Sequence, residues 1–121
     1  MAQPVADVDR AEAFYRDVLQ LQPIGRFGNL AFFDLDGVRL LLEPGDTGQA
    51  ASVLYLRVTD IHAAYDELRT RGVEFAAEPH VIHRDDAGTF GPAGHDSWMA
   101  FFRDTEGNVL AVSSIEPPRS G

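Results

Sequence analysis

The 121-residue sequence contains no cysteine and no long apolar run. Without cysteine the chain can form no disulfide, no thiolate nucleophile and no thiolate metal site. No apolar stretch approaches the roughly 20 residues that a membrane-spanning helix needs. The N-terminus also lacks the basic and then apolar pattern of a signal peptide. These absences together predict a cytoplasmic protein.

Basic residues are scarce as well. Ten Lys and Arg stand against nineteen Asp and Glu, so the formal net charge is −9. An acidic surface repels phosphate backbones and anionic lipid, which predicts neither a nucleic acid nor a membrane partner. The length suits a single domain spanning residues 1–121.

The sequence contains two related halves. Val5–Val8 returns as Val58–Ile61, each around an aspartate that can begin a helix, and Ala31–Phe33 returns as Ala100–Phe102 before a second turn. The same order of helix and hairpin predicts two βαβββ modules, at about residues 1–46 and 52–115. The fold class is therefore α+β, with a curved mixed sheet and the helices outside it.

The predicted strand Trp98–Arg103 is apolar on both faces. Trp98, Ala100 and Phe102 alternate with Met99 and Phe101. One face can rest on a helix, and the other needs cover from a second sheet, a partner chain or a ligand. The alternative is that both faces belong to the core.

A long glycine-containing loop is predicted between Asp85 and Asp96. Gly88, Gly91 and Gly94 would allow hinge motion, and Phe90 could cover a ligand as a lid. The other interpretation is an irregular surface loop without a function.

Five segments resemble one known superfamily: Val5–Ala11, Phe14–Leu19, Val58–Ile61, Gly72–Glu74 and Phe102–Asn108. They are similar to the vicinal-oxygen-chelate proteins, which include glyoxalase I, bleomycin-resistance proteins, fosfomycin-resistance transferases and extradiol dioxygenases. The resemblance implies a sheet that encloses a small-molecule site. It implies no single chemistry, because this fold serves many functions.

The resemblance also implies four metal-ligand positions. They fall at or before Met1, near Leu40 or Leu41, at Val53 and at Ala111. None of these residues is a usual ligand, and one nearby carboxylate, Glu43, cannot hold a divalent cation alone. We therefore expect no metal cofactor, as in the metal-free relatives typified by bleomycin-resistance proteins.

Four residues are candidates for proton transfer. Glu43 ends an apolar strand and could face the cavity. His80 and His83 should point to opposite faces if their strand is regular, so that one faces the cavity. His95 precedes Asp96, a carboxylate that could orient it as a base. Each of the four could instead be solvated or structural.

Ligand contacts are expected from Phe32, Tyr55, Trp98 and Phe102. The leading interpretation is metal-free binding of a planar or aromatic molecule in the sheet cavity. The alternative is a lyase or isomerase that uses Glu43 and a histidine, with a non-standard metal site as an option. Because the opening strand looks short and would leave a sheet edge uncovered, a homodimer is also predicted.

Overall fold

The computed structural model describes residues 2–45, 53–89 and 91–118. It contains two successive βαβββ modules, which confirms the predicted α+β architecture. The first comprises β1 (Ala2–Val5), α1 (Val8–Ala13), β2 (Gln22–Phe27), β3 (Leu30–Leu35) and β4 (Val38–Pro44). The second comprises β5 (Leu54–Arg57), α2 (Ile61–Thr70), β6 (His80–Asp85), β7 (His95–Arg103) and β8 (Val109–Glu116).

The chain divides into two compact units that do not coincide with the modules. The first unit is Met1–Val53 together with Arg103–Val109, and the second is Leu54–Phe102 together with Leu110–Gly121. The turn between β7 and β8 therefore belongs to the first unit, although it lies in the second module of the sequence.

The first unit carries a four-stranded sheet in the order β1-β4-β3-β2, with β1 parallel to β4. The β3–β4 hairpin turns at Asp36 and Gly37, whose φ angles are +52° and +90°. An Asp-Gly pair suits such a turn, because glycine and aspartate tolerate the left-handed backbone. β1 has four residues, as has β5. β1 pairs with Leu41–Pro44 only, out of the seven residues of β4.

The helix of the first unit begins as predicted. The carboxylate of Asp7 accepts a hydrogen bond from the backbone N–H of Arg10 at 3.1 Å. After α1 the chain continues as a π-helical segment, Phe14–Val18. Tyr15 in that segment is fully buried, with its ring 6.1 Å from the ring of Phe33. The helical face of this sheet is therefore a closed core.

The β7–β8 turn anchors this helix through a buried carboxylate. Glu106 accepts hydrogen bonds from the backbone N–H of Asp7 at 2.8 Å and from Nε of Arg10 at 2.7 Å. These bonds outweigh the cost of burial and lower the pKa of Glu106 from 4.5 to about 2, with the Arg10 hydrogen bond contributing most. A residue 99 positions along the chain thus completes the cap of α1.

A second buried carboxylate fixes the same turn. Asp104 accepts a hydrogen bond from the Tyr15 hydroxyl at 2.7 Å, and its other oxygen accepts the backbone N–H groups of Glu106 and Asn108. Burial, and then the charge of Asp104, raise the pKa of Tyr15 above its ordinary value. The Tyr15 hydroxyl is therefore a permanent hydrogen-bond donor.

The second unit repeats the plan, with strand order β5-β8-β7-β6 and β5 parallel to β8. Asp60 caps α2 by accepting the backbone N–H of Ala63 at 3.1 Å, and Gly72 ends the helix region with a φ of +95°. The rings of Tyr65 and Phe75 pack 4.7 Å apart between the helix and the chain that follows it. Both helix caps were predicted from the sequence.

No helix in residues 2–45, 53–89 and 91–118 is long and apolar enough to cross a membrane.

Candidate functional site

The two faces of the second sheet differ in their cover. Trp98 and Phe102 on β7 point toward α2 and the segment after it: Trp98 lies 5.0 Å from His62 and Phe102 lies 5.2 Å from Phe75, ring to ring. The intervening residues Met99 and Phe101 point the other way, where Tyr55 is half exposed. We call this second side the open face.

The alternation on β7 was predicted correctly, but the choice of ligand-facing side was not. Phe102 is only 2 % exposed and belongs to the core. Trp98 lies on the same side of the strand, against His62. Tyr55, by contrast, is on the open face, with its ring 6.5 Å from that of Phe101. Phe101 and Met99 therefore replace Phe102 and Trp98 as the β7 residues that could contact a ligand.

An irregularity in β6 decides where two candidate histidines point. His80 pairs with Met99 and His83 pairs with Ser97, and the register shifts between Val81 and His83. The extra residue of this bulge cancels the expected alternation. His80 and His83 therefore lie on the same side, the open face, and the prediction that they point to opposite faces is wrong.

His95 lies on the open face too, but Asp96 does not accompany it. Both residues belong to β7 rather than to the predicted loop, so their side chains alternate. Asp96 instead receives two hydrogen bonds from Arg84, the shorter at 2.7 Å, which hold its pKa below the ordinary value. The residue that pairs with His95 across the strands is Asp85.

A cavity of about 400 Å³ lies over this part of the open face. The wall combines apolar side chains from β7 and β8 with ionisable groups from β6 and β7. The lining residues are His83, Asp85, His95, Ser97, Met99 and Ile115. Four of these six residues carry polar groups, but most of the surface that they present to the recess is apolar. A mostly apolar surface with a few polar groups is usual for a small-molecule site.

Asp85 also organises the loop that follows β6. Its two carboxylate oxygens accept the backbone N–H groups of Thr89 at 2.8 Å and Gly91 at 3.1 Å, and it is 4 % exposed. Gly91 in turn approaches Ile115 so closely that an added Cβ would lie 3.2 Å from that side chain. The loop is thus packed against a residue of the cavity wall. The predicted lid residue Phe90 lies outside the described residues.

The first unit has a smaller recess on the corresponding side of its sheet. Phe32 lies there with its ring 5.7 Å from that of Phe27, which is 66 % exposed. The recess measures about 320 Å³ and is lined by Ile24, Phe27, Leu30, Phe32 and Arg39. Glu43 is half-buried on β4, outside the residues that line either recess. Glu43 belongs to the first compact unit, whereas His80, His83 and His95 belong to the second.

The metal-ligand positions that the resemblance implies carry hydrocarbon side chains within the described residues. Ala111 is fully buried beside Tyr55, its partner in the adjacent strand, and Val53 directly precedes β5. Leu40 is buried and Leu41 pairs with Phe32. These residues offer no lone pair to a cation. Within the part of the chain that the structure describes, no three His, Asp or Glu side chains are grouped to bind a metal.

Sequence reasoning missed Asp85, Met99 and Ile115 as parts of the site. The signal for Met99 was present in the alternation along β7. Asp85 could not be recognised, because it looked like the start of a loop and not the end of a strand. Ile115 was not singled out, although it lies on the last strand, which extends to Glu116.

Comparison with known proteins agrees with this fold. The model of the Glyoxalase/Bleomycin resistance protein/Dioxygenase superfamily matches residues 1–112, and the chain belongs to this superfamily. Among curated protein sequences none matches significantly.

Several solved structures are similar. Lactoylglutathione lyase from Agrobacterium tumefaciens shares 21% identity and a TM-score of 0.70, covering 94% of this chain and 90% of that one. A glyoxalase/bleomycin resistance protein/dioxygenase from Nocardioides shares 18% identity and a TM-score of 0.73, covering 100% and 87%. A genomically encoded fosfomycin resistance protein from Listeria monocytogenes shares 15% identity and a TM-score of 0.70, covering 94% and 88%. At these identities the similarity establishes the fold alone.

Proposed function

We propose that this protein binds a planar, largely apolar small molecule on the open face of its second sheet, without a metal ion. The observation that carries the proposal is the cavity of about 400 Å³. Its volume lies within the roughly 300–1,000 Å³ that is typical of ligand sites.

The composition of the wall supports a flat apolar ligand. Met99 and Ile115 supply the hydrocarbon and thioether surface. A methionine sulfur interacts favourably with aromatic rings, and its flexible side chain adapts to their shape. Phe101 and Tyr55 extend the aromatic surface on the same side of the sheet. A planar aromatic molecule would contact both kinds of group.

Metal independence is supported by the residues at the family's ligand positions. Val53 and Ala111 cannot coordinate a cation, and the histidines of the cavity form no group that could replace them within the described residues. The activities that depend on such a metal elsewhere in the superfamily are therefore not proposed. Binding and sequestration, in the cytoplasm, need no metal and no reaction.

The test is a binding screen on metal-free protein. Protein treated with a chelator should be stabilised against heat by planar aromatic compounds, since a ligand of the native state raises the melting temperature. Elemental analysis before treatment should find no stoichiometric zinc, nickel, iron or manganese. Binding that is abolished by chelation and restored by one of these ions would contradict the proposal.

A matched pair of variants locates the site. Met99→Lys places a charge in the cavity wall and should remove binding. Ile82→Lys makes the same kind of change at the bulge of β6, where the side chain is 49 % exposed and outside the cavity lining, and should leave binding intact. Equal affinities in the two variants would show that the ligand binds elsewhere.

A second candidate function is proton transfer, as in a lyase or isomerase. The observation that favours it is that His83 and His95 share the wall of one cavity, where either could act as a base. Glu43, which the sequence suggested as the second catalytic group, belongs to the first unit. A catalyst of proton transfer would exchange an acidic C–H of a bound compound with deuterium from the solvent. His83→Gln and His95→Gln should then lose this exchange, whereas simple binding would produce no exchange at all.

A further inference from the structure

Exposed apolar side chains surround the recess on the first sheet, which we call the first-unit recess. Phe27 is 66 % exposed and Ile24 is 51 % exposed, and both line this recess of about 320 Å³ together with Leu30 and Phe32. The rings of Phe27 and Phe32 meet edge to face, with their centroids 5.7 Å apart. Apolar side chains that are exposed next to one another commonly mark a binding surface.

Arg39 adds a positive charge to the wall of the first-unit recess. It is an exposed residue of β4 and one of the residues that line the recess. Asp34 is its partner across the hairpin, and Phe32 pairs with Leu41. Residues two apart on a strand share a face, as do directly paired residues, so Arg39, Asp34 and Phe32 lie on the same side of the sheet. A guanidinium group and an aromatic surface are therefore accessible to one ligand.

The carboxylate of Asp34 favours a ligand with a single negative charge. Its Oδ1 accepts the backbone N–H of Gly37 at 2.9 Å, which ties the side chain to the hairpin turn beside Arg39. A guanidinium matches the two oxygens of a carboxylate with two parallel hydrogen bonds. A phosphate monoester carries roughly −1.5 to −2 charges at neutral pH, so Asp34 would repel it more strongly than it repels a carboxylate.

We propose that the first-unit recess is a second small-molecule site and that its ligand is an aromatic carboxylate. The ring of the ligand would pack against Phe27 and Phe32, where contacts between aromatic rings add to the effect of area burial. The carboxylate of the ligand would bind Arg39. This site goes beyond the proposed function, which concerns a cavity of the second unit.

Isoleucine methyl NMR signals can report the two sites separately. Ile24 lines the first-unit recess and Ile115 lines the cavity of the second unit. The probes are 2-naphthoate, the neutral 2-naphthamide and 2-naphthyl phosphate. Titration of the Ile24 signal should show 2-naphthoate binding about five- to tenfold more tightly than 2-naphthamide, because a charged pair is stronger than a neutral one but solvent screens it here. 2-Naphthyl phosphate should bind more weakly than 2-naphthoate.

Three variants assign these effects to side chains. Arg39→Gln should remove the preference for 2-naphthoate over 2-naphthamide. Arg57→Gln is the matched control, because it removes a positive charge from another exposed strand residue, in the second unit, and it should keep the preference. Phe27→Ala should weaken the binding of both compounds. The side chains that change are exposed, so the fold should persist in all three variants.

Each part of the proposal has an outcome that would overturn it. An Ile24 signal that responds to protein concentration and to none of the probes would show that a second copy of the chain covers the recess. A signal that responds to neither would also exclude the site. Equal binding of 2-naphthoate and 2-naphthamide, or a preference that survives Arg39→Gln, would refute the role of the charge. Tighter binding of 2-naphthyl phosphate would replace the carboxylate by a phosphate. The Ile115 signal tests the proposed function independently, so either site can fail while the other stands.

Discussion

Replacing Glu106 by glutamine should destabilise the protein at neutral pH and should do so less and less as the pH falls. Glu106 has a fully buried side chain that accepts hydrogen bonds from Arg10, from Thr105 and from the backbone N–H of Asp7. Glutamine keeps the shape but loses the charge, and it presents an NH₂ group to donors. The change therefore tests how much the buried carboxylate contributes to the free energy of unfolding.

The magnitude follows from the pKa of Glu106. A fall from 4.5 to about 2 corresponds to roughly 3 kcal/mol at 1.36 kcal/mol per pKa unit. The Arg10 side chain is 54% exposed, so solvent screens part of this attraction and about 2 kcal/mol is a fairer expectation. Because folding lowers this pKa, the stabilisation is present above pH 4.5. It is lost as the pH falls from 4.5 toward 2.

Urea unfolding at pH 7, 5, 4 and 3 measures the difference between the native protein and Glu106→Gln. The gap should be about 2 kcal/mol at pH 7 and 5 and should narrow steadily below pH 4.5. Glu78→Gln, which alters an exposed carboxylate, is the control and should change stability little at any pH. A gap for Glu106→Gln that is the same at pH 7 and pH 3 would refute the assignment of the effect to charge.

Three further changes test other parts of the structure. Tyr15→Phe removes the buried hydroxyl that donates to Asp104. The free energy of chemical unfolding should fall by about 1–3 kcal/mol. A smaller loss would mean that water replaces the hydroxyl. Asp85→Asn should speed proteolysis within residues 86–94. The backbone N–H groups of Thr89 and Gly91 bond different oxygens of Asp85, and an amide has only one oxygen. Unchanged cleavage would show that the loop is held by other contacts. Light scattering at micromolar concentration should give a homodimer of twice 13.3 kDa, and a monomer mass would contradict this expectation.

Local signals in the sequence were sufficient for most of the fold. Asp7 and Asp60 begin their helices as predicted, and the Asp36-Gly37 pair, a sequence that favours tight hairpins, forms a turn. Each of these features depends on a few neighbouring residues and on backbone sterics. The repeat of the same signals in both halves then indicated the paired modules.

The candidate site was less predictable, because it depends on pairing between distant strands. The bulge after Val81 turns His83 to the same face as His80, and no local pattern in that strand announces an extra residue. The packing of α2 decides which face of β7 is covered, and the sequence pattern of Trp98–Phe102 is apolar either way. These are tertiary choices, which a strand's own sequence does not determine.

The route by which Glu106 completes the cap of α1 has a consequence for how the protein is made. A ribosome delivers α1 early, but it adds Glu106 only 99 residues after Asp7. The first sheet can pair its strands during synthesis, yet the hydrogen bonds of Tyr15 and of the helix N-terminus must wait until Asp104 and Glu106 have been made. Nascent chains stalled before residue 104 should therefore remain open to proteases in the first module, whereas released chains should not.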